Sequence, residues 1–140
     1  MTQPSHLVFV YGTLKRGFPN HHYMAGARFI GMARTVEAWP LVVGNQWFSP
    51  YLLPERGVGH RVTGELWEVP ESMMPALDEL ESVHLANGYR RERIGVEPED
   101  GGEVRDAWAY LRERRFITTI HSEPMADYQD RRYVARADRD

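Results

Sequence analysis

Apolar residues in this chain fall mainly in short runs and alternating stretches, which is typical of β-strands. The first run, residues 7–11, is rich in β-branched and aromatic side chains and ends at Gly12, so it predicts a buried strand followed by a loop. Further strands are predicted at 28–43 with breaks at Gly31 and Pro40, at 50–54, at 58–69 with an irregularity at Gly64, and at 89–96 and 104–111. The turn-rich segment 98–102 is expected to join the last two strands.

Helical periodicity is confined to one clear stretch. Ser72 is its predicted N-cap, Pro75 falls in its first turn, and apolar residues follow at spacings of three and four, namely Met73, Met74, Ala76, Leu77 and Leu80. Asn20 is expected to cap a second, shorter helix that ends near Ala25. Because helices do not alternate with strands, we predict an α+β fold: a small mixed β-barrel or strongly curled sheet with one or two short helices.

Composition narrows the class of protein. At 140 residues and 42% hydrophobic content, the chain fits one domain over residues 1–140, with a C-terminal tail from about residue 122. A net charge of -3 gives no field that would attract nucleic acid or an anionic membrane, so a small-molecule partner is expected. No signal peptide or membrane span is visible, and we expect a cytoplasmic protein. The sequence leaves the oligomeric state open.

Several kinds of chemistry are disfavoured by the residues present. The absence of cysteine excludes disulfides, thiolate metal sites and a cysteine nucleophile. The six histidines lack the paired spacing of a zinc site, and no serine lies in a G-x-S-x-G elbow. The four tryptophans lie in apolar, strand-like contexts that favour core packing over base stacking.

The loop after the first strand is a candidate ligand site. Gly12 and Gly17 match the two glycines of a phosphate-binding loop, but Phe18 and Pro19 replace its lysine and hydroxyl residue, so nucleotide binding is not supported. Glycine at these positions would leave the backbone N–H groups of Thr13, Leu14 and Lys15 free to face a ligand. The alternative is an ordinary turn with glycine for steric reasons.

One carboxylate at the end of the predicted helix falls on its apolar face. Glu81 lies four residues after Leu77, so it is expected to face the core. Loss of solvation would raise its pKa towards the range in which one group takes and gives protons near neutral pH. Two structural alternatives remain: an exposed side chain, because the helix has ended by Ser82, or an ion pair with a nearby arginine, Arg90 or Arg91.

The strand, the glycine loop and the helix-borne glutamate together resemble the γ-glutamylcyclotransferase family. Its substrate loop is similar to Y-G-T-L at Tyr11, Gly12, Thr13 and Leu14, and its catalytic acid/base is similar to Glu81 in L-D-E-L-E-S. The longer Y-G-T-L-K-R-G-F-P-N-H, with P-Y-L-L at 50–53 and G-E-L-W at 64–67, resembles the γ-glutamylamine cyclotransferase branch. Residues 84–88 and the hairpin around 101 depart from that branch.

The resemblance implies a specific reaction. The α-amine of a γ-glutamyl amide, such as γ-glutamyl-lysine, would attack its own side-chain carbonyl and release 5-oxoproline and a free amine. Glu81 would take a proton from the α-ammonium and deliver it to the departing nitrogen. The N–H groups of Gly12, Thr13 and Leu14 would bind the oxyanion or the α-carboxylate, and no metal or organic cofactor is expected.

Some features of the implied site stay open. Tyr110, Tyr128 and Tyr133 are candidates for a pocket wall, with plain core packing as the alternative. The same chemistry would also suit glutathione, a γ-glutamyl amino acid or a γ-glutamyl biosynthetic intermediate. A binding module that senses γ-glutamyl or 5-oxoproline ligands without turnover is the alternative from another class.

Overall fold

The computed structural model describes residues 3–139. Within them, the chain forms seven strands and one α-helix. The strands are β1 (Ser5–Val10), β2 (Arg28–Trp39), β3 (Leu41–Gly44), β4 (Ser49–Leu52), β5 (His60–Pro70), β6 (Arg90–Pro98) and β7 (Arg105–Leu111). The helix, α1, spans Met74–Leu80.

Five of the strands close into a barrel. Their order is β1-β5-β2-β6-β7, and a parallel pairing of β1 with β7 at Val8 and Trp108 joins the two ends. The other neighbours in the barrel are antiparallel, so the prediction of a small mixed β-barrel is confirmed. The antiparallel ribbon of β3 and β4 extends from the barrel through a parallel contact between Leu52 and Leu111.

Gly64 on β5 shows how closely the barrel wall is packed. A Cβ atom at this position would lie 2.5 Å from the carbonyl oxygen of Val10 and 2.7 Å from the ring of Phe9. Gly64 pairs in register with Ala33, and the irregularities of this strand pair occur instead on β2, one of them ending at Gly31. The predicted irregularity at Gly64 is therefore wrong, because this glycine gives space for a neighbouring strand and its aromatic side chain.

The helical segments differ from the prediction at their starts. A 3₁₀ turn, Glu71–Met73, precedes α1, and the N-cap residue of α1 is Met73 without a side-chain hydrogen bond. Ser72 is thus inside the 3₁₀ turn, and the prediction that it caps the helix is wrong. Pro75 does lie in the first turn of α1, where its missing N–H has no intrahelical partner to lose.

The remaining helical pieces are 3₁₀ turns at His21–Met24, Arg114–Phe116 and Arg136–Asp138. Asn20 precedes the first of these, but its side chain makes no capping hydrogen bond. Among residues 3–139, no helix has the length and apolar character needed to cross a membrane.

The C-terminal segment is fastened to the barrel and the ribbon by backbone hydrogen bonds. Met125 N–H donates to the carbonyl of Leu41 at 2.9 Å, and Val134 N–H donates to Trp47 at 3.0 Å. The buried ammonium of Lys15 also donates to the carbonyl of Tyr128 at 2.8 Å. These contacts bring Tyr133, Arg136 and Arg139 to the lining of a cleft.

Candidate active site

A cleft of about 740 Å³ opens where the first strand, the ribbon, the end of α1 and the C-terminal segment meet. It is lined by residues 11–14 on one side and by Glu81 on another. The two elements that the sequence singled out separately therefore face the same cavity, although about 70 residues separate them along the chain.

The two glycines of the loop after β1 meet different requirements, one for space beside a neighbouring residue and one for an unusual backbone conformation. A Cβ atom on Gly12 would lie 2.6 Å from Cγ of Pro50, so only glycine fits against the ribbon there. Gly17 has φ of +83°, the left-handed conformation that glycine adopts at little cost. Gly12 is therefore required by the lack of space beside Pro50, and Gly17 by its backbone conformation.

The backbone donors of this loop are not all available. The N–H of Lys15 donates to the carbonyl of Gly12 at 3.1 Å, which corrects the expectation that it is free. In the part of the chain that the structure describes, the N–H groups of Gly12, Thr13 and Leu14 donate to no other group. Three adjacent donors beside a cleft form a suitable site for an anionic oxygen.

Asn20 holds the loop against the C-terminal segment. Its backbone N–H donates to the carbonyl of Thr13 at 2.9 Å, and its side-chain amide donates to Thr13 Oγ1 and to the hydroxyl of Tyr133, both at 2.9 Å. Asn20 is buried and lines the cleft. The sequence pattern indicated only a helix cap at this position and missed this role.

Tyr11 and Tyr89, which line the cleft, are held by hydrogen bonds from their hydroxyl groups. The hydroxyl of Tyr11 donates to the carbonyl of Tyr110 at 2.6 Å, and that of Tyr89 donates to Pro50 at 2.8 Å. Burial, followed by the charge of Glu81, raises the pKa of Tyr11, and burial is also the main cause of the raised pKa of Tyr89. These phenols act as neutral donors at physiological pH.

Glu81 is placed by the way in which α1 ends. It is the C-cap residue, and its N–H donates to the carbonyl of Leu77 at 3.0 Å. The next two N–H groups, of Ser82 and Val83, fold back onto the carbonyls of Glu79 and Asp78 at 3.0 Å each, which is the Schellman pattern of a helix end. The helix stops at this point and turns Glu81 towards the cleft.

This helix end contains a strained residue. Ser82 has φ of +55°, where glycine is the usual residue. The loop beyond it returns tightly, because a Cβ atom on Gly88 would overlap the carbonyl oxygen of Ser82. The N–H of Tyr89 then donates to the carbonyl of Glu81 at 3.1 Å and closes the loop.

The carboxylate of Glu81 has no hydrogen bond or ion pair among residues 3–139. The candidate partners are engaged elsewhere: Arg91 lies 3.6 Å from Asp78, and Arg90 pairs with two other glutamates, Glu92 and Glu113. The ion-pair alternative is therefore wrong, and so is full exposure, because the side chain is partly buried. Burial raises the pKa of Glu81 to about 7, against the lowering effect of Arg136.

Two of the three predicted wall tyrosines line the cleft. Tyr110 does so while its hydroxyl donates to Asp78 Oδ1 at 2.8 Å, and Tyr133 is held by Asn20. Tyr128 lies instead in the barrel core, fully buried, with its ring 5.5 Å from that of Phe18. The expectation that Tyr128 forms part of the wall is corrected to its alternative, core packing.

The charges around the cleft are unequal. Within residues 3–139, Glu81 is the only acidic side chain of its lining, whereas three arginines lie on it, Arg112, Arg136 and Arg139. No group of three or more histidine, aspartate or glutamate side chains in the same range could hold a metal ion. The cleft therefore combines one carboxylate with several fixed positive charges.

Sequence reasoning missed these arginines and several aromatic residues of the lining, among them Trp47 and Tyr51. They come from separate parts of the chain, and no periodic pattern marks them: Trp47 lies in the turn between β3 and β4, Tyr51 lies in β4, Arg112 follows β7, and Arg136 and Arg139 belong to the C-terminal segment. Tyr51 belongs to the P-Y-L-L motif, which was the one signal available for this part of the wall.

Known proteins are similar to this chain in sequence and in fold. A protein of Drosophila melanogaster, provisionally named a gamma-glutamylcyclotransferase, is 36% identical over 137 residues, which cover 89% of this chain and 85% of that protein. The gamma-glutamylaminecyclotransferase of Mus musculus is 49% identical over 95 residues, which cover 64% of this chain and 62% of the mouse protein. The crystal structure of an AIG2-like protein from Mus musculus superposes with a TM-score of 0.84 at 33% identity, over 96% of this chain and 99% of that one.

The family described as "Gamma-glutamyl cyclotransferase, AIG2-like" matches residues 8–131. That match contains the loop after β1, Glu81 and all of the barrel except the first three residues of β1. On the sequence match and the shared fold together, this chain belongs to the gamma-glutamyl cyclotransferase, AIG2-like family.

Proposed function

We propose that this protein is a cyclotransferase that cleaves a γ-glutamyl amide into 5-oxoproline and a free amine. The observation that carries the proposal is the shared cleft, in which an unpartnered carboxylate faces a row of open backbone donors. The first supplies a base and the second supplies sites for negative oxygen, which are the two requirements of an acyl transfer to nitrogen.

The proton carrier in this reaction is Glu81. Its ionised form takes a proton from the α-ammonium, and the freed amine attacks the γ-carbonyl carbon to form a new C–N bond. The tetrahedral intermediate then collapses, the bond to the leaving nitrogen breaks, and protonated Glu81 gives its proton to that nitrogen. The second proton, lost by the ring nitrogen as the lactam forms, returns the released amine to its ammonium form.

A pKa of about 7 suits this cycle. At neutral pH a large fraction of Glu81 is ionised and able to accept a proton, yet its conjugate acid is strong enough to donate one within the same turnover. The raised pKa values of Tyr11 and Tyr89 exclude their phenolates at this pH. Glu81 is thus the group of the cleft best suited to exchange protons.

The loop after β1 binds the negative oxygens of the substrate. The N–H groups of Gly12, Thr13 and Leu14 are fixed by the contact of Gly12 with Pro50 and by the hydrogen bonds of Asn20. Donors that are already oriented stabilise a developing oxyanion without reorganisation. They also hold the γ-glutamyl chain folded, so that nucleophile and electrophile of the same molecule meet. Because the reaction requires only proton transfer, we expect no metal or organic cofactor.

Among γ-glutamyl amides, we propose γ-glutamylamines, including γ-glutamyl-lysine, as substrates. The mouse relative with 49% identity is named a gamma-glutamylaminecyclotransferase, which supports this choice. Glutathione and simple γ-glutamyl amino acids are the competing substrates, and a ligand sensor without turnover is the competing function.

The test is release of 5-oxoproline by the purified protein from γ-glutamyl-ε-lysine, glutathione and γ-glutamyl-alanine. Turnover is expected with the first, and Glu81→Gln is expected to lower kcat/KM by at least about 100-fold. Glu79→Gln is the matched control, because Glu79 is exposed on the same helix end and outside the cleft lining. Ligand-induced stabilisation without any 5-oxoproline would contradict the enzyme and support the sensor.

A further inference from the structure

We propose that Arg112 is a specificity-determining residue that binds a carboxylate on the leaving amine, so that the preferred substrates are γ-glutamyl amides of carboxylate-bearing amines. This inference rests on the proposed function and assigns a role to the part of the cleft that the reaction itself does not use. Its basis is an arginine whose surroundings leave most of its hydrogen-bonding capacity unused.

Arg112 follows directly after β7 and lines the cleft. Its guanidinium makes one side-chain hydrogen bond within residues 3–139, from Nη1 to the hydroxyl of Tyr51 at 3.3 Å. Its Nε is buried and has no hydrogen-bond partner in the described part of the chain. A guanidinium has five N–H donors, and a buried donor without a partner is unfavourable unless a ligand supplies an acceptor.

Aromatic rings fix the position of this guanidinium. Its centre lies 5.2 Å from the ring of Tyr51 and 5.8 Å from that of Tyr89, and these two rings stack on each other at 5.6 Å. Cation–π contacts of this kind orient a guanidinium but do not neutralise its charge. No carboxylate among the described residues lies within 4.0 Å of it, unlike the arginines that are paired on the surface, such as Arg114 with Glu55. The guanidinium of Arg112 is therefore held in place, and its positive charge has no acidic partner among the described residues.

Charge balance indicates what the fork binds. A γ-glutamyl group carries one ammonium, which faces Glu81 in the proposed reaction, and one carboxylate, for which the loop after β1 provides donors. Arg136 also lies close enough to Glu81 to lower its pKa, although burial outweighs it. Arg112 has no acidic partner among the described residues, and a planar guanidinium is the side chain best matched to a second carboxylate.

The size of the cleft agrees with a second carboxylate. A volume of about 740 Å³ lies within the range of sites that enclose drug-sized ligands, so there is room for an amino acid beside the γ-glutamyl group. An amine that carries only positive charge would meet the arginines of the lining and no acidic side chain other than Glu81. We therefore expect amino-acid leaving groups to be preferred over diamines.

The test compares two substrates that differ by one carboxylate, γ-glutamyl-ε-lysine and γ-glutamyl-cadaverine. The wild-type protein should prefer the lysine derivative in kcat/KM by about 10- to 100-fold, the effect of one charged hydrogen-bonding pair. Arg112→Met should remove most of this preference by lowering kcat/KM for the lysine derivative, with less than about a threefold change for the cadaverine derivative. Arg112→Lys, which keeps the charge without the fork, should give an intermediate preference.

Arg114→Met is the matched control, because Arg114 is exposed, paired with Glu55 and outside the cleft lining; it should leave the preference unchanged. Equal turnover of both substrates by the wild-type protein, or an equal loss for both in Arg112→Met, would overturn the inference and leave the proposed function standing. No 5-oxoproline from either substrate would overturn both.

A measurement on the wild-type protein covers the case in which Arg112→Met fails to fold. The two products, lysine and cadaverine, are compared as inhibitors of turnover. Lysine should inhibit at a concentration at least about tenfold lower, because its carboxylate pairs with Arg112. Equal inhibition, or stronger inhibition by cadaverine, would overturn the inference.

Discussion

Two glutamates lie beside the loop after β1, and their surroundings differ. Glu65 on β5 is only 4% exposed, and its carboxylate accepts hydrogen bonds from the backbone and side chain of Arg16 and from Trp67 Nε1 at 3.1–3.3 Å. Glu81 is more accessible, yet no hydrogen bond or ion pair to its carboxylate is found in residues 3–139. Glu65, the more deeply buried acid, is thus held by hydrogen bonds, whereas the carboxylate of Glu81 has no such partner among the described residues.

The difference separates a structural role from a chemical one. The carboxylate of Glu65, which accepts several hydrogen bonds, fixes the loop to the barrel wall. A carboxylate without donors, placed in a poorly solvated cleft, exchanges protons near neutral pH. Burial alone therefore does not distinguish the two acids; the absence of hydrogen-bond partners within residues 3–139 marks Glu81, the acid that we propose as the proton carrier.

The largest expected effect comes from exchanging the two acids for amides. Glu81→Gln should lower kcat/KM by at least about 100-fold while the protein stays folded. Glu65→Gln should lower the free energy of unfolding by about 2 kcal/mol, because an amide cannot accept all the donors that now meet the carboxylate. Its kcat/KM should fall by less than about tenfold, since Glu65 lies outside the cleft lining.

Enzyme assays and urea denaturation of both variants measure this exchange. The comparison breaks down if Glu65→Gln abolishes turnover in a fully folded protein, or if Glu81→Gln is as active as the wild type.

A second prediction concerns the pH dependence of stability. The pKa of Glu81 is about 7 in the folded protein and near 4.5 without the fold, so the folded state binds the proton more tightly between these values. The contribution of Glu81 to stability is therefore fully present below about pH 4.5 and is lost as the pH rises through 7. Relative to Glu81→Gln, the wild-type protein should lose roughly 1 to 3 kcal/mol between pH 4.5 and pH 8.

Urea denaturation at several pH values measures this difference, with Glu79→Gln as the reference for an exposed acid of the same helix end. A constant difference between the wild type and Glu81→Gln over this range would show that Glu81 titrates as an ordinary exposed acid.

The smallest expected effect concerns the strained turn that positions Glu81. Ser82→Gly should raise the free energy of unfolding by about 1 kcal/mol, because glycine adopts the φ of +55° without a Cβ clash. Ser72→Gly is the control, since Ser72 lies in a 3₁₀ turn and should gain nothing from glycine. Thermal melts would decide the point, and a loss of stability in Ser82→Gly would contradict the described helix end.

Local patterns predicted much of this molecule. Apolar runs located the strands, and the spacing from Leu77 placed Glu81 on the inward-facing side of the helix, because both depend on residues that are close in sequence. The helix periodicity extends one residue too far, since the helix ends at Leu80 and the Schellman turn that follows brings Glu81 to the cleft.

What the sequence did not predict depends on distant contacts. Gly64 is explained by the approach of Phe9, Tyr128 by its place in the barrel core, and Asn20 by its bond to Tyr133. Arg112 gives no local signal either, because its partners Tyr51 and Tyr89 come from other segments. Such pairings are set by the closure of the barrel and not by periodicity.

The pH dependence of kcat/KM for γ-glutamyl-ε-lysine tests the central claim, that Glu81 is the proton carrier, most directly. The acid limb of this profile reports the base of the free enzyme, and the pKa of Glu81 places it near pH 7. The account predicts a rate that rises about tenfold per pH unit below that point and levels off above it. An activity that stays constant from pH 8 down to pH 5 would contradict it.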